Sequence, residues 1–264
     1  MVESPLLIIG SDISNEDKEI EIRRLAETDL QIFSSLCNAF PELGLVGTWK
    51  TNCFGMGRAK SSAVFPTICR INHSCQPNCE RRWHPDRKVE TLYALRDIQP
   101  DEELTIVYAS ECRRRSERQA EYQRRWRFTC QCECCQLTGE AQIISDYHRE
   151  GAYQIREALQ QWMEKKNYRD ILPRMEKAVK FMQDEGFRGS ALATVCYDVC
   201  QVATLAGDIN IAKTYSKIAL DEFVLGTGEL SKFSRRMKEI YKAVRRRNQV
   251  DVTLLLEFVN SPDG

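Results

Sequence analysis

The chain has 264 residues, with 38 basic and 38 acidic side chains and 42% hydrophobic content. That is enough for one large domain or two ordinary ones, and zero net charge argues against a global field drawing the chain onto nucleic acid or membrane. No run approaches the ~20 apolar residues of a membrane helix, and Met1–Gly10 lacks the basic start and apolar length of a secretory signal.

In chain order, Leu6–Ile9 is a compact apolar run that predicts a buried strand. Residues 14–40 predict helix, with Leu25, Leu30, Ile32, Phe33, Leu36 and Phe40 as the apolar face and Thr28-Asp29 as a cap for its second part. Leu43–Phe65 is interrupted by Gly44, Gly47, Gly55 and Gly57 and predicts short strands and turns rather than helix. Val89–Arg96 alternates as a strand does, Gln99-Pro-Asp supplies a turn, and Leu104–Tyr108 is another short strand. Glu111–Arg127 predicts a charged helix, whose seven Arg and three Glu read as a solvated face of Glu–Arg pairs. Amphipathic helices take over from about Ile144 to Arg247. Leu192–Val224, two helical segments joined by Ala-Gly-Asp, reads equally as a tetratricopeptide-type hairpin or as part of a generic bundle. Residues 248–264 predict a fraying tail, with Val252–Phe258 as a segment that could dock back as helix.

Twelve cysteines without a secretory signal suit a reducing compartment, where clustered thiols favour metal over disulfides. Cys130, Cys132 and Cys135 are spaced so that three thiolates of one tight loop can face a single ion. Zn2+ takes four ligands in a tetrahedron, so a fourth must come from elsewhere. The spacing leaves the identity of that fourth ligand open, and Cys134 is a spare that could replace a neighbour. Cys37, Cys53, Cys196 and Cys200 read as small buried hydrophobes, Cys79 and Cys112 stay open, and His84 and His148 read as surface residues. A site of His73 with Cys75 and Cys79 is the lesser alternative.

Residues 72–78 read Asn-His-Ser-Cys-Gln-Pro-Asn, Tyr108 closes Glu-Glu-Leu-Thr-Ile-Val-Tyr, and Phe128-Thr-Cys-Gln-Cys follows an Arg-rich stretch. In this order the motifs resemble the later part of a SET domain with its cysteine-rich post-SET tail, closest to the SET-and-MYND type and its fungal relatives. Thr51-Asn-Cys-Phe54 and Glu3-Ser-Pro-Leu-Leu resemble earlier segments of the same proteins. The resemblance covers about residues 3–136. It implies an α+β fold: a SET-type core of short strands over residues 1–110, a post-SET helix and zinc loop over 111–138, and an all-α, tetratricopeptide-like domain over 139–264. It implies S-adenosylmethionine-dependent methylation of a protein lysine, histone or non-histone, in nucleus or cytoplasm. Asn52, Cys69, Ile71, Asn72, His73, Tyr108 and Phe128 would contact the cofactor, with Phe128 on the adenine. Tyr108 would be the catalytic tyrosine, and Cys75 would complete the zinc site with Cys130, Cys132 and Cys135. The helical domain would cover the substrate cleft.

In that family a Gly-x-Gly strand precedes the Glu-x-Pro-Leu segment, which places it before Met1, and no MYND finger is present here. A chain starting at Met1 would lack one wall of the cofactor pocket and leave a sheet edge unpaired. This motivates a second expectation, a non-catalytic interaction protein that keeps the zinc-stapled core and binds peptides through its helices. Asp101 stands where relatives carry a turn glycine, a change Asp tolerates in left-handed geometry. Nucleic-acid binding through Arg113–Arg127 is disfavoured by the balanced charge.

Overall fold

The computed structural model describes residues 1–57, 60–109 and 112–246. The tail from 248 to 264 and its predicted docking helix lie outside the described residues. Eight short strands come first or interleave with helices: β1 (Val2–Glu3), β2 (Leu7–Gly10), α1 (Asn15–Arg23), α2 (Glu27–Ser34), α3 (Gly44–Asn52), β3 (Phe54–Gly55), β4 (Ser61–Val64), β5 (Asn72–His73), β6 (Cys79–His84), β7 (Val89–Ala94) and β8 (Thr105–Ile106). The helices α4 (Arg115–Trp126), α5 (Glu133–Gln136), α6 (Gly139–Glu164), α7 (Tyr168–Asp184), α8 (Gly189–Ala206), α9 (Ile209–Thr227) and α10 (Lys232–Arg246) follow.

The strands form three small sheets, ordered β1-β7-β6, β2-β4-β3 and β5-β8. The first two are antiparallel, whereas β5 and β8 run parallel, Asn72 opposite Thr105 and His73 opposite Ile106. β2 is an edge strand paired only with β4; Ile9 points into the core and Ile8 to solvent, so the predicted buried strand is buried on one face alone. Ser14 caps α1 by accepting from the Asp17 amide at 3.1 Å. α2 begins at Glu27 after an uncapped Ala26, so Thr28 and Asp29 lie inside its first turn rather than capping it. Glu27 and Asp29 there favour the positive helix end. Ile22, Phe33, Leu36 and Trp49 close a core against Ile9 and Val64. Each fully buried side chain of that kind contributes about 1.5–3 kcal/mol.

The expectation of strands and turns throughout 43–65 is wrong over its first third, because α3 is helical there. Gly47 is needed for contact, not flexibility: a Cβ on it would collide with the Phe40 carbonyl and the Asn38 side chain. Asn52 locks the same contact by donating to the Cys37 carbonyl at 2.6 Å and the Thr48 carbonyl at 2.7 Å. Asp101 adopts a φ of 64°, the left-handed geometry expected where a glycine would serve.

From α6 onward each helix packs against its neighbours in sequence, and Ile171, Met175, Val195, Val199, Met237 and Ile240 belong to their common core. α9 also lies on β6 and β7. The Glu80 carboxylate of β6 accepts from the Ser190 amide at 2.9 Å, at the start of α8. A Cβ on Gly226 of α9 would overlap that carboxylate, so the close fit of helix against sheet requires glycine.

Candidate active site

The parallel pairing of β5 with β8 sets His73 beside Tyr108. The Tyr108 amide donates to His73 Nδ1 at 3.1 Å. A nitrogen that accepts carries no proton, so the neutral ring holds its proton on Nε2. Nε2 lies 3.5 Å from Cys75 Sγ and the Tyr122 hydroxyl lies 3.4 Å from it, so two donors converge on one sulfur. This disposition removes His73 from the metal-ligand alternative. Cys79, the other member of that alternative, is buried among Met56, Phe65 and Ile71.

Asn78, 2% exposed, explains the end of the Asn-His motif. Its Nδ2 donates to Glu102 Oε1 at 2.9 Å and the Glu103 carbonyl at 2.8 Å, and its Oδ1 accepts from the Thr105 amide at 2.8 Å. One amide thus ties the central loop to β8. Arg96, with help from Asn78, holds the Glu102 carboxyl down to about 2. Glu3 makes a similar tie, its carboxylate accepting from the Thr67 and Ile68 amides at 2.9 Å just before the central motif.

The Cys75, Cys130, Cys132 and Cys135 sulfurs all lie within 4.8 Å of one another, with Cys75 and Cys135 at 3.5 Å. Sulfurs at ~2.3 Å from a tetrahedral Zn2+ stand about 3.8 Å apart, so the set fits that ion. Hydrogen bonds from Cys130, Cys135 and Cys75 pull the Cys132 thiol well below the usual range. Cys134 is not in the group. Its sulfur is 3.3 Å from Nη2 of Arg118, which also reaches Cys135 Sγ at 3.6 Å. Burial would depress the Arg118 guanidinium, and the Cys75, Cys134 and Cys135 sulfurs more than offset that, holding it charged. Arg118 is 1% exposed, so the reading of this helix as solvated fails on that face. The exposed Glu–Arg pairs do occur, Glu121 meeting Arg124 at 3.9 Å and Arg125 at 3.2 Å.

Beside the sulfurs opens a cavity of about 700 Å³. Asn52, Cys69, Asn72, His73, Tyr108 and Phe128 line it, together with Cys130 and Cys132. Ile71 does not line it; its carbonyl accepts the Tyr108 hydroxyl at 2.7 Å. Burial, then the charges of Cys69, Cys37 and Glu103, push the Tyr108 phenol up to about 12. Trp126 also lines the wall, its ring centroid 5.2 Å from that of Tyr108. Tyr122 lies behind, fully buried, stacked on Phe128 at 5.4 Å and tilted against the His73 ring at 4.4 Å. Asn72 donates to Glu103 Oε1 at 2.6 Å on the rim. Tyr122, Trp126 and Arg118 were missed in the sequence, where an Arg-rich helix hid them; the i, i+4 spacing of Arg118 and Tyr122 is the signal that one face turns inward.

Among the described residues none beyond Glu133 lines this cavity, so the helical region contributes no residue to its wall there. It supports the loop from behind. Gln76 Nε2 donates to the Glu185 carbonyl at 2.7 Å, and Arg149 Nη1 to the Cys75 carbonyl at 3.4 Å. Other expectations also change. Cys37 is exposed and on the cavity lining rather than buried, Cys53 is half-buried, and Cys196 and Cys200 are buried as expected. His84 is half-buried, 3.3 Å from the Tyr93 hydroxyl, and His148 stacks on Phe181 at 4.8 Å, so neither is a bare surface residue.

Residues 7–109 match the family model described as the SET domain. Histone-lysine N-methyltransferase set5 of Schizosaccharomyces pombe is 26% identical over 220 residues, covering 81% of this chain and 67% of that protein. Histone-lysine N-methyltransferase SMYD3 of Homo sapiens is 30% identical over 166 residues, 56% of this chain and 38% of that protein. SET domain and MYND-type zinc finger protein 6 of Schizosaccharomyces pombe is 38% identical over 69 residues, 26% of this chain and 14% of that protein. The chain thus spans about two thirds of one relative's length and well under half of the others'.

Proposed function

The chain is a SET-domain protein of the SMYD and fungal SET5 type, and from that premise we propose that it is a protein-lysine N-methyltransferase using S-adenosylmethionine. The observation that supports this reading is the meeting of three separate motifs, Asn72-His73, Tyr108 and Phe128, around one cavity fastened to the four-thiol cluster. Its size is that of ordinary small-molecule sites, roughly 300–1,000 Å³. Bound S-adenosylmethionine supplies a sulfonium-activated methyl group.

Phe128 and Trp126 offer aromatic faces for a planar base, and Asn72 and His73 offer polar edges beside them. Tyr108 stays protonated at physiological pH, because its phenol is pushed up to about 12. It is therefore no general base. Its proton is committed to the Ile71 carbonyl, which leaves oxygen lone pairs free to accept weak C–H contacts and orient a methyl group. An incoming lysine amine placed beside that sulfonium charge would favour its uncharged form. Alignment is then the main demand, and it supplies several kcal/mol of rate. Cys75, Cys130, Cys132 and Cys135 would hold Zn2+, which would fix the loop bearing Phe128 to the central motif. The substrate class by this reading is a protein lysine, histone or other, in the nucleus or cytoplasm.

Labelled S-adenosylmethionine with histones or whole lysate should label protein, and Tyr108→Phe should abolish it. Equal labelling by both proteins removes Tyr108 from the mechanism. No calorimetric cofactor binding by folded, zinc-replete protein would instead favour the non-catalytic interaction module.

A further inference from the structure

The chain is neutral as a whole, but α10 is not: its 15 residues carry Lys232, Arg235, Arg236, Lys238, Lys242, Arg245 and Arg246 against the single acid Glu239. At about 100° per residue, Arg235, Lys238, Lys242, Arg245 and Arg246 fall within about 100° of the helix circumference. All five are exposed, while Ser234, Met237, Ile240 and Val244 on the other side are buried in the helical core. Neutralisation is sparse among the described residues. Lys238 meets Glu229 at 3.5 Å, and Arg236, about 80° outside the arc, meets Glu239, about 20° from its edge, at 3.3 Å. Lys242 and Arg246 have no carboxylate within ion-pair distance there, and Arg235 and Arg245 contact only the Leu230 carbonyl and Tyr241. The turn between β6 and β7 abuts the start of α10, with Asp86 4.0 Å from Lys232, and it adds exposed Arg87 and Lys88.

We propose that the outer face of α10, extended by the Arg87-Lys88 turn, binds the phosphate backbone of duplex nucleic acid. The chemistry of the face selects this partner over others. Every exposed position of α10 is charged, so it offers no apolar anchor of the kind a peptide partner buries. It also exposes no aromatic ring as a stacking platform for single-stranded bases. What remains is a straight row of cations. From Arg235 to Arg246 it runs about 17 Å at ~1.5 Å per residue, along which one duplex strand presents about five phosphates at ~3.4 Å of axis each. Five cations thus face about five phosphates. Contacts of this kind position a protein on the duplex and read no sequence.

The test is fluorescence anisotropy of the full chain, zinc-replete, with two unrelated 24-base-pair DNA duplexes between 50 and 200 mM salt. Four to five phosphate contacts give a log–log slope of about −3.6 to −4.5, hence a loss of roughly 150-fold or more over that range, equal for both sequences. Arg235→Gln/Lys242→Gln/Arg246→Gln should lower affinity at least 30-fold at 50 mM salt and flatten the slope by about 2.7. The Arg→Lys counterpart at 235 and 246 should bind as the parent does, as should Arg124→Gln/Arg125→Gln on α4. Unchanged melting and zinc content establish that each variant is folded. Parent-like binding by the folded triple Gln variant overturns the proposal. So does stronger binding to a polyglutamate chain than to the duplex at equal charge, which would assign the face to an acidic protein segment.

Discussion

Glu185→Ala tests whether the helical region holds the central loop by a buried charge pair. Glu185 Oε2 accepts from Arg149 Nε and Ser145 Oγ, both at 2.6 Å. Arg149 is 0% exposed, lies 4.9 Å from the Phe187 ring and reaches the Cys75 carbonyl. Removing the carboxylate leaves a buried guanidinium without the charge that faces it, a loss of about 3–5 kcal/mol. That is about a fifth or more of the ~5–15 kcal/mol by which domains are stable. Urea unfolding followed by helical circular dichroism should show the midpoint falling by about 1–2 M, taking ~3 kcal/mol/M as the slope. Arg149→Met/Glu185→Leu should recover most of the loss, because a packed apolar pair of similar volume avoids the desolvation cost. A Glu185→Ala loss below about 1 kcal/mol would refute the reasoning, since it would mean the guanidinium gains little from that carboxylate.

Tyr122 touches both the sulfur cluster and the cavity wall, and two substitutions separate those contacts. Tyr122→Phe removes only the hydroxyl at Cys75 and should speed zinc loss to a chelator while cofactor affinity, read by calorimetry, holds within about twofold. Tyr122→Leu also removes the ring stacked on Phe128, worth about 0.5–1.5 kcal/mol, and should weaken cofactor binding by about 2–12-fold; identical behaviour of the two variants would sink this division of roles. Burial, opposed by Arg156, pushes the Asp198 carboxyl up to about 7. The folded protein therefore keeps a proton that the unfolded chain releases near pH ~3.9, so stability falls as pH rises from there to about 7. Asp198→Asn should remove that slope and stabilise the protein at pH 8. At ~1.36 kcal/mol per unit the gain is at most about 4 kcal/mol, less what solvent screens at a half-buried side chain. Thermal melts across pH 4–8 with parallel slopes for both proteins would contradict it.

The site was legible where chemistry is concentrated in short, ordered motifs: Asn72-His73, Tyr108 and Phe128 were found through their joint order and its resemblance to SET domains, and Cys130, Cys132 and Cys135 through their spacing. The helical region was legible from the apolar periodicity of segments such as Leu192–Val202. The failures have a common cause in tertiary contact. Gly47 looked like a helix breaker, because its purpose, the approach of α3 to the 38–40 backbone, exists only in the fold. Arg118 looked solvated, because the sulfurs that bury it lie sixteen and seventeen residues away. Trp126, the last residue of α4, continues the i, i+4 face of Arg118 and Tyr122, but between Arg125 and Arg127 it reads as part of the charged stretch.

The Gln76–Glu185 bond has a consequence for synthesis. A nascent chain displays the Asn-His loop long before its far-side support leaves the ribosome. The wait from residue 135, when the last of the four clustered thiols is made, to residue 185 is about 3–10 s at ~5–20 residues per second. During that interval the loop is held by β8, Asn78 and its sulfur neighbours, without its support from the helical region. Translation speed across α6 and α7 therefore sets how long the half-built site stands open to chaperones and to premature pairing.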